Sequence, residues 1–373
     1  MGGSLAIVVA MVLAACSSGT SSSSTAAAGV TSAGASTAST AGTITDCKLP
    51  AGFKVGIASR EILGDVNRDI INAATETFKA AGATDVNVTD AGGDPRKQNE
   101  NVASLINSGV NGLFVILGDA QQVSPLTKGA ADKGIKVSTA LFGATPEGSL
   151  TDVGFDDPTA SSLMTRALFS SIGYKGDIYV FWVPGAPILE TRKRILEAMA
   201  KDYPQIHLKF VPTEHGAAKS LAQMTDILTA HPAKGSIAGV WGAYDVLVSG
   251  ANEAIKRAGR DEIKVTSIDG DRVAFQMLYT KGSPYVATVV GDIRGIGRLG
   301  AEAIIKATCG QAKGIPTSTY TPMWVATRNN GVEAGEKRWG AGLWKSAGLD
   351  KAAIEAEYPQ NQKVVEFSAT LPQ

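Results

Sequence analysis

Short, continuous apolar runs alternate along this chain with longer stretches whose apolar residues recur every three or four positions. Lys54-Val55-Gly56-Ile57-Ala58 reads as a strand, and Val66, Ile70, Ala74, Phe78 and Ala81 then fall on one helix face that Gly82 is suited to end. Val86-Asn87-Val88 predicts a second strand. Asp94-Pro95 opens a second helix, with proline in its first turn and Val102, Leu105 and Ile106 on one side. Gly112 to Leu117 is apolar throughout, as a strand covered on both faces requires. A further helix and strand end near Ala140, where the pattern starts again.

In the second series Ile178 to Val183, Leu208 to Val211, Ile237 to Trp241, Val265 to Ile268 and Val286 to Val290 read as strands, with helices between them. Alternation of this length implies parallel sheets with right-handed crossovers. Two series, each about the size of one open sheet, predict an α/β protein of two doubly wound parallel-sheet lobes, with the look of a distant duplication. After Gly310 the alternation fades. Tyr320 to Thr327 reads as one more strand, and the remaining tail as helix packed on the surface.

The N-terminal region differs in kind. Leu5 to Ala15 is apolar but shorter than the roughly 20 residues of a bilayer span, and it runs into Leu13-Ala14-Ala15-Cys16. A short hydrophobic segment, small residues and a cysteine, in that order, are how a bacterial lipoprotein begins. Met1 to Ser4 lacks the basic residues usual at the head of an export signal, which points to a start further upstream. A Ser/Thr/Ala/Gly tract then continues to about Thr45. It has too little apolar surface to offset its ordering entropy, so a tether is expected. Cys16 is the expected lipidation site, and the folded part is expected outside the cytoplasmic membrane, anchored to it. No later stretch is apolar and long enough to cross a membrane.

The 35 basic and 35 acidic residues balance, which disfavours a polyanionic partner such as nucleic acid. With Cys16 assigned to lipid, Cys47 and Cys309 remain as a pair in an oxidising compartment, and a disulfide between them is expected.

Enzymatic constellations are sparse. His207, His215 and His231 lack metal-ligand spacing, and there is no Gly-x-Ser-x-Gly elbow or Walker loop. No metal, cofactor or catalytic residue is expected. Gly295-Ile296-Gly297-Arg298-Leu299-Gly300 fits the dinucleotide fingerprint, but no acidic residue ends a strand about twenty positions later to hold a ribose hydroxyl. These glycines are read instead as letting a helix pack closely.

Ligands of open α/β sheets bind in the crevice beyond the C-terminal ends of the strands. The polar residues there are Asp119, Asp156, Asp157, Arg192, Tyr244, Asp245, Asp269 and Asp292. An ionised carboxylate accepts from two neighbouring hydroxyls, in bonds of about 1.5–3 kcal/mol each, so such a set suits a polyhydroxy ligand. Trp182, Trp241 and Phe142 are candidates for the flat apolar face against which the C–H groups of a sugar lie. Three alternatives stand beside these readings, one being that Arg192, in a basic run with Lys193 and Arg194, lies on a solvated helix face. An aspartate after a strand also serves as the N-cap of the next helix, and aromatic residues at such places also serve as core.

Four stretches carry a resemblance to a known family. They are Gly92-Gly93-Asp94-Pro95-Arg96-Lys97-Gln98 with Leu105-Ile106-Asn107-Ser108-Gly109-Val110; Tyr244-Asp245 followed by Gly250-Ala251 and Ala254-Ile255; Ile268-Asp269-Gly270; and Ala287-Thr288-Val289 with Ile296-Gly297-Arg298. In this order, over about Phe53 to Thr327, the chain resembles the ribose-type periplasmic sugar-binding proteins, receptors of ABC transporters. The resemblance implies that Asp119 is a ligand-binding aspartate after the third strand, that Asp157 takes the place of a hinge-side asparagine, and that Asp269 is the aspartate before glycine. Phe142 falls where the family often has arginine, and Tyr244 where asparagine is common. Gly291 replaces a frequent glutamine, leaving Asp292 to do its work. Arg192 is the equivalent of the arginine after the Pro184-Gly185 turn, with Arg194 competing. Val66 and Asn67 stand in place of the usual aromatic pair, with Glu61 nearby.

By this resemblance two lobes joined by a three-strand hinge close on a solute, with crossings near Phe155, Gly291 and Val325. Residues 1–16 are then the signal and lipidated cysteine, and 17–50 the tether. Residues 51–155 with 293–325 form the first lobe, and 156–292 with 326–373 the second. The expected function is that of a monomeric extracytoplasmic receptor of an ABC importer. It captures a monosaccharide or small polyol and delivers it to the permease and its ATPase, without breaking a bond. A sensory receptor of the same fold, or a binder of an autoinducer-type furanone or a nucleoside, are the alternatives.

Overall fold

The computed structural model describes residues 47–367. The expected signal, Cys16 and most of the tether lie outside the described residues. Strand β1 (Lys54–Ser59) leads into α1 (Gly64–Ala80), β2 (Asp85–Asp90), α2 (Pro95–Asn107), β3 (Gly112–Ile116), α3 (Ala120–Asp132), β4 (Lys136–Ala140) and β5 (Ser149–Gly154). The strands stand in the order β2-β1-β3-β4-β5, all parallel.

The second series is α4 (Asp157–Ser171), β6 (Gly176–Trp182), α5 (Pro187–Ala200), β7 (Ile206–Pro212), α6 (Ala217–Ala230), β8 (Gly239–Gly242), α7 (Asp245–Arg257), β9 (Lys264–Asp269), α8 (Arg272–Tyr279) and β10 (Tyr285–Gly291). It repeats the wiring as β7-β6-β8-β9-β10, again parallel. Then come α9 (Ile293–Thr308), β11 (Ser318–Tyr320), β12 (Met323–Thr327), α10 (Gly331–Trp339), α11 (Leu343–Ser346), α12 (Lys351–Glu357) and β13 (Glu366–Phe367).

Burial explains the two strand patterns. All five residues of β3 and the last five of β1 are buried, because helices cover both faces of these central strands. Strands β2 and β7 lie at sheet edges, and they carry exposed Asp85, Asn87 and Asp90, and His207 and Lys209. Charged and polar side chains there discourage pairing with another chain. In each lobe the order reverses beside the first strand, at β1/β3 and at β6/β8, which opens a crevice at the C-terminal ends.

Three passages link the lobes. The chain leaves the first sheet after Gly154, returns after Gly291 into α9, which packs on α1, β4 and β5, and leaves again between β11 and β12. The third passage is at Thr321–Pro322. The expected crossing at Val325 is corrected: Val325 lies inside the second sheet, opposite Val289. Proline has no N–H for a ladder, so the run read as one strand is split into two that serve different sheets. The passages are stitched together, with Thr321 N donating to Gly154 O at 2.9 Å and Asp292 N to Pro322 O at 3.0 Å. Parallel pairing is also not universal, since β12 and β13 add antiparallel strands at the second sheet's edge.

The glycines of the fingerprint-like run lie on α9. A Cβ at Gly297 would strike the Ile70 carbonyl on α1, and one at Gly300 would strike the Phe114 ring. Their bareness lets the helix lie close against its neighbours. At the start of the described chain Leu49 is buried and donates its N–H to Ala81 O at 2.9 Å. Cys47 is bonded to Cys309 at the end of α9, with Cα atoms 6.2 Å apart. Packing therefore reaches back to Cys47, before the tether's expected end at residue 50. The tail is helical, and it buries Val332, Ala334, Leu343, Trp344 and Ile354 against the second lobe.

Candidate functional site

The loops after β1, β3 and β4 of the first lobe face those after β6, β7, β8 and β9 of the second around an enclosed space of about 120 Å³. Backbone strain concentrates here. Among the described residues four non-glycine positions have positive φ, and three of them line this cleft: Leu117 (60°), Leu141 (61°) and Asp269 (118°). Such conformations persist only where the surroundings hold them, and they cluster at functional sites.

At the centre is a buried ion triad. The Arg192 Nε donates to Asp157 Oδ1 at 2.7 Å, and Nη1 donates to Asp269 Oδ1 at 3.2 Å and to the Ala243 carbonyl at 2.7 Å. The guanidinium is only 4% exposed. Among the described residues Nη2 has no partner, so it is a donor available to the cleft. Helix α5 supplies the arginine and the first turn of α4 supplies Asp157. The arginine thus spans the second lobe from its hinge end to the β9 turn. Burial pushes Asp269 up to about 7 against the pull of Arg192, with Asp245 and Asp157 adding to the rise. Asp157 is raised for the same first reason.

Asp271 stands two residues beyond Asp269. It is 3% exposed, lines the cleft, and its Oδ1 has no hydrogen-bond partner among the described residues. Burial first, then Asp269 and Asp245, hold its carboxyl well above the usual carboxylate range. Behind it the fully buried Asp245 accepts from Ser267, Tyr285 and Thr288 hydroxyls and from Asp271 N at 2.8 Å. Asp245 is therefore a brace for the β9–α8 turn and does not cap α7 with its side chain.

Contacts also cross the mouth. His215 Nδ1 lies 2.9 Å from the Tyr244 hydroxyl and 3.4 Å from Glu61 Oε1 of the other lobe. Arg272 pairs with Asp65 at 2.8 Å, and Arg338 with Asp69 at 2.6 Å. The two guanidinium groups stack on Trp339, 3.8 and 3.9 Å from its ring centre, so α10 joins the closure.

Of the residues expected to bind ligand, Glu61, Asn67, Arg192, Tyr244 and Asp269 line the cleft. Asp157 reaches it through Arg192. The structure places the others outside this lining. Asp119 caps α3, accepting from Gln121 N and Gln122 N at 2.8 and 3.1 Å, and Asp292 caps α9, accepting from Gly295 N at 2.9 Å. Trp241 is fully buried and bonded to Thr165, while Trp182 is bonded to Glu190 and lies edge-on to Phe210. Both lie within strands, whose side chains point to the sheet faces and not beyond the strand ends. Phe142 packs over Gly118 and, with Asp119 and Asp157, lines an adjoining cavity of about 690 Å³ that shares Phe155, Pro187 and Ile188 with the cleft. Arg194, the competitor of Arg192, bonds Thr191 on the exposed face of α5. Sequence reasoning missed Asp271, although it too follows β9, and it missed the aliphatic residues Leu63, Leu117, Leu141 and Ile188.

The raised carboxylates carry a pH dependence. Asp152 and Asp245 are pushed up chiefly by burial, to about 7 and about 6. With Asp269, they hold protons in the folded protein that the unfolded chain releases above 3.8. This contribution to stability is full below that value and is lost as pH rises through about 7. The melting temperature of the ligand-free protein is expected to fall by several degrees from about pH 5.5 to about pH 8, on the order of 2–4 kcal/mol. A flat or rising profile in thermal scans would contradict the burial of these groups.

Residues 64–312 match the periplasmic binding protein domain. The chain is 28% identical to the ribose import binding protein of Bacillus subtilis over 217 residues, 58% of this chain and 69% of that one. It is 26% identical to the xylitol-binding protein of Mycolicibacterium smegmatis over 198 residues, 52% of this chain and 56% of that one. An ABC transporter solute-binding protein from Agrobacterium vitis, solved with bound allitol, superposes with a TM-score of 0.71 at 27% identity, covering 77% of this chain and 99% of that one. The paired lobes, the triple passage and the enclosed cleft have the same source: the chain belongs to the periplasmic binding protein family.

Proposed function

We propose that this protein is the extracytoplasmic receptor of an ABC importer, binding a monosaccharide or small polyol between its lobes and delivering it to the permease. The observation that carries the reading is the set of inward-facing polar groups around one enclosed space, Arg192, Tyr244, Asp269 and Asp271 from the second lobe, Asn67 and Glu61 from the first. Donors and acceptors in that ratio suit several adjacent hydroxyls. The relatives that bind ribose, xylitol and allitol support the same ligand class.

Binding works by closure. The Glu61–His215, Asp65–Arg272 and Asp69–Arg338 contacts form only when the lobes meet. A ligand touching both sides adds its own contacts to these and shifts the population towards the closed form, which the permease reads. The protein acts as a monomer, held to the membrane by lipid at Cys16, and catalyses no reaction. Four or five charge-assisted bonds of about 1.5–3 kcal/mol, less immobilisation costs, reach the ~8 kcal/mol of micromolar affinity.

Calorimetry and thermal shift against alditols, pentoses and hexoses are expected to find a ligand with a micromolar Kd. At a hundredfold excess over Kd it stabilises the fold by about 2.7 kcal/mol. Asp269→Asn is expected to weaken that ligand at least tenfold. If no sugar or polyol binds, the reading fails.

A further inference from the structure

Both lobes line the cleft with apolar as well as polar residues, the second lobe adding Ile188, Leu189 and Val246 to the apolar set. Arg192, Tyr244, Asp269 and Asp271 supply the hydrogen-bonding groups from the second lobe, while Leu63, Val66, Leu117 and Leu141 form the wall offered by the first. The first lobe's charged cleft residues each make one contact: the Arg60 Nε donates to Gly93 O at 2.9 Å, and Glu61 lies 3.4 Å from His215. Arg60, Glu61 and Asn67 are the polar residues that lobe contributes.

Two of the wall residues are held at a conformational cost. Leu117 and Leu141 end the adjacent strands β3 and β4 in the left-handed backbone region, which leucine rarely adopts and asparagine tolerates. Their backbone is fixed from behind. The buried Gln98 amide donates to Leu117 O at 2.7 Å, and Leu117 N and Leu141 N donate to Ala140 O and Val153 O at 2.8 and 3.0 Å. The fold thus over-determines two aliphatic side chains at positions where a small polar residue would sit without strain.

We infer that the ligand presents one hydroxylated edge to the second lobe and one deoxygenated edge, a methyl or alkyl-bearing carbon, to this leucine wall. The ligand class is a deoxy sugar or deoxy polyol. This rests on the proposed receptor function and specifies its ligand. A hydroxyl pressed on the wall gives up its water without gaining a partner, whereas a methyl group there is buried favourably.

The test compares matched pairs by calorimetry: D-ribose with 5-deoxy-D-ribose, L-mannose with L-rhamnose, L-galactose with L-fucose, and xylitol with 1-deoxyxylitol. In the pair that binds, the deoxy member is expected to bind at least tenfold more tightly. Leu141→Asn, which suits the local backbone, should fold with a lowered melting temperature, since Leu141 is buried in the core, and should erase or reverse that preference. Leu117→Asn provides the same reading should the first variant not fold. A parent compound that binds as tightly as its deoxy partner, or a ratio unmoved by both variants, overturns the inference while leaving the receptor reading intact. Binding by no member of any pair, nor by any other sugar or polyol, overturns both.

Discussion

Replacing Arg192 with alanine is expected to destabilise the protein by about 3–5 kcal/mol and to abolish ligand binding. The arginine is the sole cation within bonding distance of Asp157 and Asp269 among the described residues, at 2.7 and 3.2 Å, and all three groups are buried. Removing it leaves two desolvated carboxylates beside each other and strips the Ala243 carbonyl of its donor. The loss has a pH signature. Without the arginine both carboxylates take up protons more readily, so the variant should lose less stability at about pH 5 than at about pH 8. Combining Arg192→Met with Asp157→Asn and Asp269→Asn should recover much of the stability, because a neutral set no longer strands a buried charge, and it should still bind nothing. Denaturant titration and calorimetry on the single and triple variants separate the two effects. An alanine variant with wild-type stability at neutral pH would show that the triad is not buried as described.

Cys309→Ser is expected to lower stability by roughly 2–5 kcal/mol while leaving ligand affinity unchanged. The bond closes a loop of 262 residues, which includes strands β1 to β10, so its loss frees an unusually large unfolded ensemble. It also secures the lead-in segment that carries buried Leu49 to the end of α9, the helix that follows the second passage between the lobes. Neither cysteine lines the cleft. Thermal melts of wild type with and without reductant, beside the variant, check this. Equal melting temperatures would mean that the bond carries no weight, and a parallel fall in affinity would mean that the lead-in reaches the cleft.

The core strands were legible because residues buried on both faces must be apolar without interruption. Gly112 to Ile116 and Val55 to Ala58 have that form, and both are central. The split of Tyr320 to Thr327 was not legible, because two short strands in series look like one until the sheets to which they belong are known. Aspartates beyond strand ends were ambiguous for a plain reason. Capping a helix and grasping a hydroxyl need the same side chain in the same place, and only the direction of the side chain separates Asp119 and Asp292 from Asp269.

The linear chain therefore determined the alternation, the two parallel lobes, the polar strand ends and the family pattern, since these follow from local periodicity and residue type. The three-dimensional structure alone decided which arginine is buried between carboxylates, which aromatic rings face a sheet and which a crevice, and that Asp271 and two leucines of positive φ line the cleft. Those outcomes depend on the packing of segments far apart in the chain, where direction and desolvation, not composition, set the chemistry of a side chain.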